Sequence, residues 1–238
     1  MSENPRARYN NDDNVASFET FFRAWLVRQE HLLDELISAQ ENHHQSRDED
    51  LKELVKRVLA HYQQYYQEKS KVAQHNVFLL FAPTWFTPFE QTFFWIAGFN
   101  PTLAFRVVNE SVKDLADEQR QRMDSLSVET RVEEKLLNDE LARIQESVAG
   151  PTIMELARRR GRLGEWEMTE GVEVTESNLR ASLESLVANA DMLRTTTTAK
   201  VVEILDPLQN VKFFTAVARL QLRIRRWASH GESEKDES

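Results

Sequence analysis

Apolar residues recur along this chain at helical spacing. Between Ser17 and Gln40, Phe18, Phe21, Phe22, Trp25, Leu26, Leu32, Leu33 and Leu36 form a broad apolar face. That spacing predicts a first amphipathic helix. The next stretch, Glu41 to Asp50, reads ENHHQSRDED, holds no apolar side chain and reads as a loop. A second helix starts near Asp48 or Asp50, and in it Leu51, Val55, Val58, Tyr62, Tyr65, Lys69 and Val72 step by 4, 3, 4, 3, 4 and 3. This is a heptad seam, and the helix it predicts continues towards Leu80.

From Phe78 to Val108 the pattern changes to aromatic clusters punctuated by Pro83, Pro88, Gly98 and Pro101. Thr87-Pro88-Phe89-Glu90 fits a capping box, with Thr87 as N-cap, Pro88 at the first helical position and Glu90 reaching back. The helix it opens is expected to stop at Gly98 as a C-cap glycine. Asn100-Pro101 is then expected to open another. A long helix follows over about Asp117 to Val148, with Met123, Leu126, Thr130, Leu137, Leu141, Ile144 and Val148 on its seam. Gly150-Pro151 ends it, a short helix follows to about Arg160, and Gly161 to Thr175, with three glycines, reads as a flexible loop.

Asn178 to Leu205 forms the next long helix, with Leu179, Leu183, Leu186, Ala190, Leu193, Thr197, Val201 and Ile204 aligned. Asp206-Pro207 breaks it and caps the last helix, where Leu208, Val211, Phe214, Val217, Leu220, Ile224 and Trp227 share a face. No strand alternation and no internal repeat of 20–50 residues is visible. The fold class is all-α, a single bundle of about seven helices, several of them long. Residues 1–16 and 231–238 are polar and read as disordered tails around one domain at 17–230.

Composition sharpens this. Gly and Pro number only six each, which suits long helices. The net charge of −9 disfavours nucleic-acid binding by the surface as a whole. Without cysteine there is no disulfide, thiolate metal site or cysteine nucleophile. Met1 to Asn14 lacks the apolar segment of a secretory signal. The most apolar stretch, Val77 to Phe99, is broken by Pro83, Pro88 and Glu90, which argues against a membrane span.

Candidate chemistry is sparse. His43 and His44 beside Asp48, Glu49 and Asp50 match no metal-ligand spacing and read as a solvated loop. His61 and His75 fall near one helix face and read as structural or exposed. No G-x-S-x-G, P-loop, G-x-G-x-x-G or H-E-x-x-H motif occurs, so no catalytic residue is assigned and the chain does not read as an enzyme. Glu133-Glu134 reads as a solvated carboxylate pair. Arg158, Arg159, Arg160 and Arg162 form the sharpest basic cluster, either a nuclear-import or phosphate-binding patch or a cationic helix end. The last helix adds Arg219, Arg223, Arg225 and Arg226 between apolar residues, a basic amphipathic pattern. Trp85, Phe93, Phe94, Trp95 and Phe99 serve a bundle core or line an apolar ligand pocket.

The order Ala82-Pro83-Thr84-Trp85, Thr87-Pro88, Glu90, Trp95-Ile96-Ala97-Gly98, Pro101 and Phe105-Arg106 resembles the signature of the Delay-of-Germination (DOG) domain. His61 to Tyr66 with Lys69, the Phe18 to Glu35 helix, the Ala190 to Arg194 segment and the Leu220 to Trp227 helix are similar to it as well. The resemblance spans about residues 17–229. The family includes stand-alone plant proteins and the C-terminal half of TGA-type bZIP transcription factors. The basic region and zipper of the latter have no counterpart among the residues preceding Ser17.

Resemblance to the stand-alone branch implies a role in seed dormancy and abscisic-acid signalling, through binding clade A type 2C protein phosphatases. It also implies a nuclear or cytosolic location. Resemblance to the TGA branch implies transcription-related partners, TGA-type bZIP factors and calmodulin among them, and leaves room for self-association. Direct nucleic-acid binding and membrane association are not expected. The family resemblance further implies haem, held by two histidines four residues apart on the last helix. Here Gln221 and Arg225 stand at those positions, neither is a usual haem ligand, and no haem or other cofactor is expected. Pro83, Trp85, Pro88, Glu90, Trp95, Gly98, Pro101 and Arg106 are read as structural signature residues.

Overall fold

Seven α-helices and one 3-10 turn account for the architecture of the computed structural model, which describes residues 5–149 and 165–236, with side-chain packing over 15–147 and 176–227. They are α1 (Pro5–Glu41), α2 (Asp48–Asn76), the 3-10 turn Val77–Leu80, α3 (Pro88–Gln91), α4 (Leu103–Ser111), α5 (Asp117–Ala149), α6 (Glu165–Ile204) and α7 (Pro207–Asp236). Among the described residues the one β pairing is an isolated bridge, Phe94 with Phe99.

The helices start where local chemistry satisfies their first N–H groups. Thr87 Oγ1 accepts from the Glu90 N–H at 3.2 Å, and Glu90 Oε2 accepts from the Thr87 N–H at 2.8 Å. Asp206 and Gln209 exchange the same pair of bonds, at 2.8 and 3.0 Å, to open α7. Asp48, Glu49 and Asp50 fill the first turn of α2, where negative charge meets the positive end of the helix dipole.

Two cores result. One gathers Leu36, Leu51, Val55, Val58, Val108, Met123, Val201, Val211 and Phe214 where α1, α2, α4, α5, α6 and α7 converge. The other gathers Phe18, Phe22, Trp25, Trp85, Leu186 and Ala190, with Tyr65, Phe86 and Trp95 packed against it. α1 and α2 pack on α7, while α5 lies along α6. The apolar seams anticipated for α5 and α6 face these cores: Met123, Leu126, Thr130, Leu137, Leu183, Leu186, Val201 and Ile204 are all buried.

Several boundaries differ from the sequence expectation. Helix α1 begins at Pro5, inside the stretch expected to be a tail, and α7 runs to Asp236. After Pro5 nothing in that stretch breaks a helix, and polarity by itself does not terminate one. Helix α6 begins at Glu165, so the expected loop is helical from there onward. Of its three glycines only Gly171 falls within α6, and one glycine weakens a helix without ending it. The helix opened by Thr87 ends at Gln91, not near Gly98. Helix α4 starts at Leu103, although Asn100 does accept the Thr102 N–H at 2.9 Å. Trp227, expected on the buried face of the last helix, is 58% exposed because the core ends before it. The short helix expected from Pro151 and the arginines 158, 159, 160 and 162 lie outside the described residues.

Candidate functional site

A cavity of about 490 Å³ lies between the two cores. Trp25 and Phe22 of α1, Tyr62, Tyr65 and Tyr66 of α2, Phe94 and Phe99 of the bridge, and Phe213 and Phe214 of α7 supply aromatic rings to its wall. A space of this size and apolar character suits a small organic molecule. Three polar groups of side chains reach it.

The first group joins α2 to α6. Lys69 Nζ donates to Asp191 Oδ1 at 2.7 Å, and Arg194 Nη1 donates to the same oxygen at 2.5 Å. Lys69 is only 2% exposed, and burial pulls its ammonium down to about 8 against the opposing pull of Asp191. Arg194 also donates to the carbonyls of Phe99, at 2.7 Å, of Ile96, at 2.8 Å, and of Trp95. The Trp95 and Ile96 carbonyls belong to a tight turn, and the Phe99 carbonyl follows it. The Trp95 N–H donates to Gly98 O at 2.5 Å, and Ile96 and Ala97 have φ of 42° and 59°. Both central residues are left-handed, as in a primed hairpin turn, without the glycine or asparagine that usually occupies it. Arg194 therefore holds a turn whose own residues disfavour it. Gly98 leaves room for this cation: a Cβ there would lie 3.0 Å from the Arg194 guanidinium carbon and would push the side chain back by a few tenths of an ångström.

The second group joins α1, α2 and α7. Gln29 Nε2 donates to Tyr62 Oη at 2.7 Å and to Gln221 Oε1 at 3.2 Å, and Tyr62 Oη donates to Gln221 Oε1 at 2.8 Å. Burial raises the Tyr62 hydroxyl well above its ordinary range, so it stays protonated. In the third group Arg225 Nη1 donates to Glu90 at 3.0 and 3.3 Å and to Trp85 O at 3.2 Å. Glu90 thus caps α3 and anchors α7 at once.

The signature residues divide accordingly. Glu90, Gly98 and Pro101 reach the cavity together with Gln221 and Arg225. Pro83 and Trp85 are buried and Pro88 starts α3. Trp95 is half-buried, donates to Asn138 at 2.8 Å and lies under the Arg194 guanidinium, 5.3 Å from ring to cation. Arg106 is exposed. Of the aromatic cluster, Phe94 and Phe99 line the cavity, whereas Phe93 is 43% exposed against Phe89. Glu134, read as solvated, is buried and accepts the Thr102 N–H at 2.9 Å.

His61 is buried and stacked on Trp25, and burial lowers it to about 4; His75 is exposed. No group of three metal-ligating side chains occurs among the described residues. None of their helices is long and apolar enough to cross a membrane. The residues missed at the sequence level are Gln29 and Arg194 as cavity groups, and Asp191 as the anion behind them. The available signal was Lys69, a cation inside an apolar seam that demands a buried anion.

The histidine pair that the family resemblance implies for haem is missing from this wall. At the two positions where the family's histidines would stand are an amide and a guanidinium, both engaged in hydrogen bonds, and no histidine lines the cavity.

Comparison with known proteins places this arrangement. Residues 32–110 match the family described as seed dormancy control. The chain is 37% identical over 225 residues to the Arabidopsis thaliana Protein RESPONSE TO ABA AND SALT 1, covering 90% of this chain and 96% of that protein. It is 35% identical over 214 residues to Protein ZW2 of the same plant, covering 88% and 95%. It is 26% identical over 217 residues to the Arabidopsis Transcription factor TGA5, covering 91% of this chain but 65% of that protein. This all-helical chain belongs to the Delay-of-Germination domain family of plant regulatory proteins, to which the TGA transcription factors are related.

Proposed function

We propose that this chain is a non-catalytic regulator that acts by binding other proteins in abscisic-acid, salt or dormancy responses. The observation that carries the reading is the match to RESPONSE TO ABA AND SALT 1 along nearly the whole of both chains. The partners expected first are clade A type 2C protein phosphatases, masked or inhibited by occupancy and not by chemistry of this chain. TGA-type bZIP factors are the alternative partners, in a nuclear setting, and calmodulin is a third through the arginine-rich α7. Pull-down of purified protein against all three tests this. Saturable, selective phosphatase capture is the expected result. Capture of the TGA factor alone would transfer the chain to a transcription-associated role, and capture of none would overturn the partner-binding reading.

The cavity favours a second reading, in which a small molecule bound between the two cores adjusts that partner binding. The wall contains parts of α1, α2, α6 and α7, so its occupant touches most of the bundle. Native mass spectrometry of protein purified without denaturation is expected to show an adduct that denaturation releases. This reading involves no haem: titration with haemin is expected to give no saturable Soret shift, and a saturable one would contradict it.

A further inference from the structure

The chemistry of the wall narrows what the cavity can hold. Four charged side chains line it, three of them cationic: Lys69, Arg194 and Arg225, against Glu90. Arg225 and Glu90 neutralise each other at 3.0 Å. Asp191 behind the wall offsets one of the remaining two cations, since Lys69 and Arg194 share its single oxygen Oδ1. One net positive charge therefore faces an aromatic cavity. In a medium of low polarity that charge favours a monoanion, and a dianion would carry an uncompensated charge into the same space.

The Gln29–Tyr62–Gln221 triad marks a second point of recognition. Its internal bonds use the Gln29 amide N–H, the Tyr62 hydroxyl and the Gln221 carbonyl oxygen. Gln29 Oε1 and Gln221 Nε2 have no partner within the described protein, and both side chains line the cavity. One acceptor and one donor are thus left over on two neighbouring amides that line the cavity, and a hydroxyl group can pair with either. Tyr62 and Lys69 lie seven residues apart on α2, so the two recognition points sit roughly 10 Å apart along that helix.

We propose that the cavity binds a compact hydroxy-carboxylic acid with an apolar ring body, its carboxylate at Lys69 and Arg194 and its distal hydroxyl at Gln29 and Gln221. The proposal rests on the cavity being a ligand site. The aromatic walls formed by Trp25, Tyr65, Phe94, Phe99 and Phe214 suit a flat or cyclic body, and a volume of about 490 Å³ holds one of small-molecule size. The turn at Trp95–Gly98 contributes indirectly: by receiving the Arg194 N–H groups on its carbonyls, it fixes the guanidinium beside Lys69. Deprotonation of Lys69 would remove the charge, so acid binding should weaken as pH rises through about 8.

Calorimetric titration of the full chain with four probes tests this: 6-hydroxy-2-naphthoic acid, its methyl ester, 2-naphthoic acid and dodecanoic acid. The hydroxy acid is expected to bind at least about tenfold tighter than the ester or the acid lacking the hydroxyl, the scale expected for one charge-assisted contact. Lys69→Met should abolish the preference for acid over ester, and Gln221→Leu the preference for the hydroxyl, with helicity by circular dichroism confirming that each variant folds. If all four probes bind without discrimination and neither variant changes this, the cavity is a ligand site and the proposed ligand class is wrong. If no probe binds, the cavity reading falls and this proposal with it.

Discussion

Around Val58, Val108, Val201 and Val211 the chain packs aliphatic side chains closely, whereas around Trp25, Tyr65 and Trp85 it packs rings beside a buried lysine, an arginine and a glutamate. The aliphatic end is held by non-directional burial, about 1.5–3 kcal/mol for each large side chain. The aromatic end depends on bonds that must point correctly: Arg194 to three carbonyls, Gln29 to Tyr62 and Gln221, Arg225 to Glu90. Directional bonds hold helices apart as well as together, and the cavity lies where the two kinds of packing meet.

The largest expected effect distinguishes these ends. Arg194→Ala removes the donor for the strained turn and leaves three carbonyls without their cation, at a cost of roughly 3–5 kcal/mol. Leu36→Ala in the aliphatic core should cost a comparable 2–5 kcal/mol by leaving a void. Denaturant titration measures both losses, and hydrogen exchange separates them. Arg194→Ala should speed exchange of the Trp95 amide at denaturant concentrations where Leu36→Ala does not. Equal protection of that amide in the two variants would show that Arg194 does not hold the turn.

A pH effect follows next in size. Burial against Trp25 lowers His61 from 6.5 to about 4 in the folded chain. The unfolded chain therefore takes up a proton first as pH falls. The stability associated with neutral His61 is complete above pH 6.5 and is lost as pH falls towards 4, by roughly 2–3 kcal/mol. Glu35 and Asp114, whose carboxylates are held below their ordinary range by Arg57 and Lys212, add their own acid sensitivity at lower pH. Comparison with His61→Phe isolates the histidine. The variant should lose less stability between pH 7 and 4.5, and an unchanged slope would remove His61 as the cause.

A smaller effect tests the cap that seats Glu90. Thr87→Ala deletes the hydroxyl that accepts the Glu90 N–H and should cost about 1 kcal/mol in a denaturant titration. The same change should loosen the Arg225 contact, because Glu90 serves both bonds.

The difference between the ends also explains what the sequence revealed. Helical periodicity identified α2, α5 and α6 because burial there follows one face, as the buried Leu51, Val55 and Val58 show. The Thr87 capping box was legible because its partners are three residues apart. The turn at Trp95–Gly98 was not, since its left-handed residues are Ile96 and Ala97, which carry no turn signal. Its support comes from Arg194, almost a hundred residues away in the chain. The polar triad escaped for the same reason: Gln29 and Gln221 meet across 192 positions. Lys69 and the substitution of Gln221 and Arg225 for histidine were visible as residues, but their partners were not.

The smallest effect probes strain in the turn itself. Ala97 sits at φ 59°, a region that disfavours a side chain by roughly 1–2 kcal/mol. Glycine removes that penalty but adds chain entropy to the unfolded state, which offsets about half of the gain. Ala97→Gly should therefore stabilise the chain by about 0.5–1 kcal/mol. The neighbouring Gly98→Ala should do the opposite, because its backbone is not left-handed and a Cβ would crowd the Arg194 guanidinium at 3.0 Å. Opposite shifts in the denaturation midpoint from adjacent substitutions would mark strain at one residue and close approach at the next. Shifts of the same sign would mean that the turn relaxes as a unit and that Arg194 tracks it instead of forcing it.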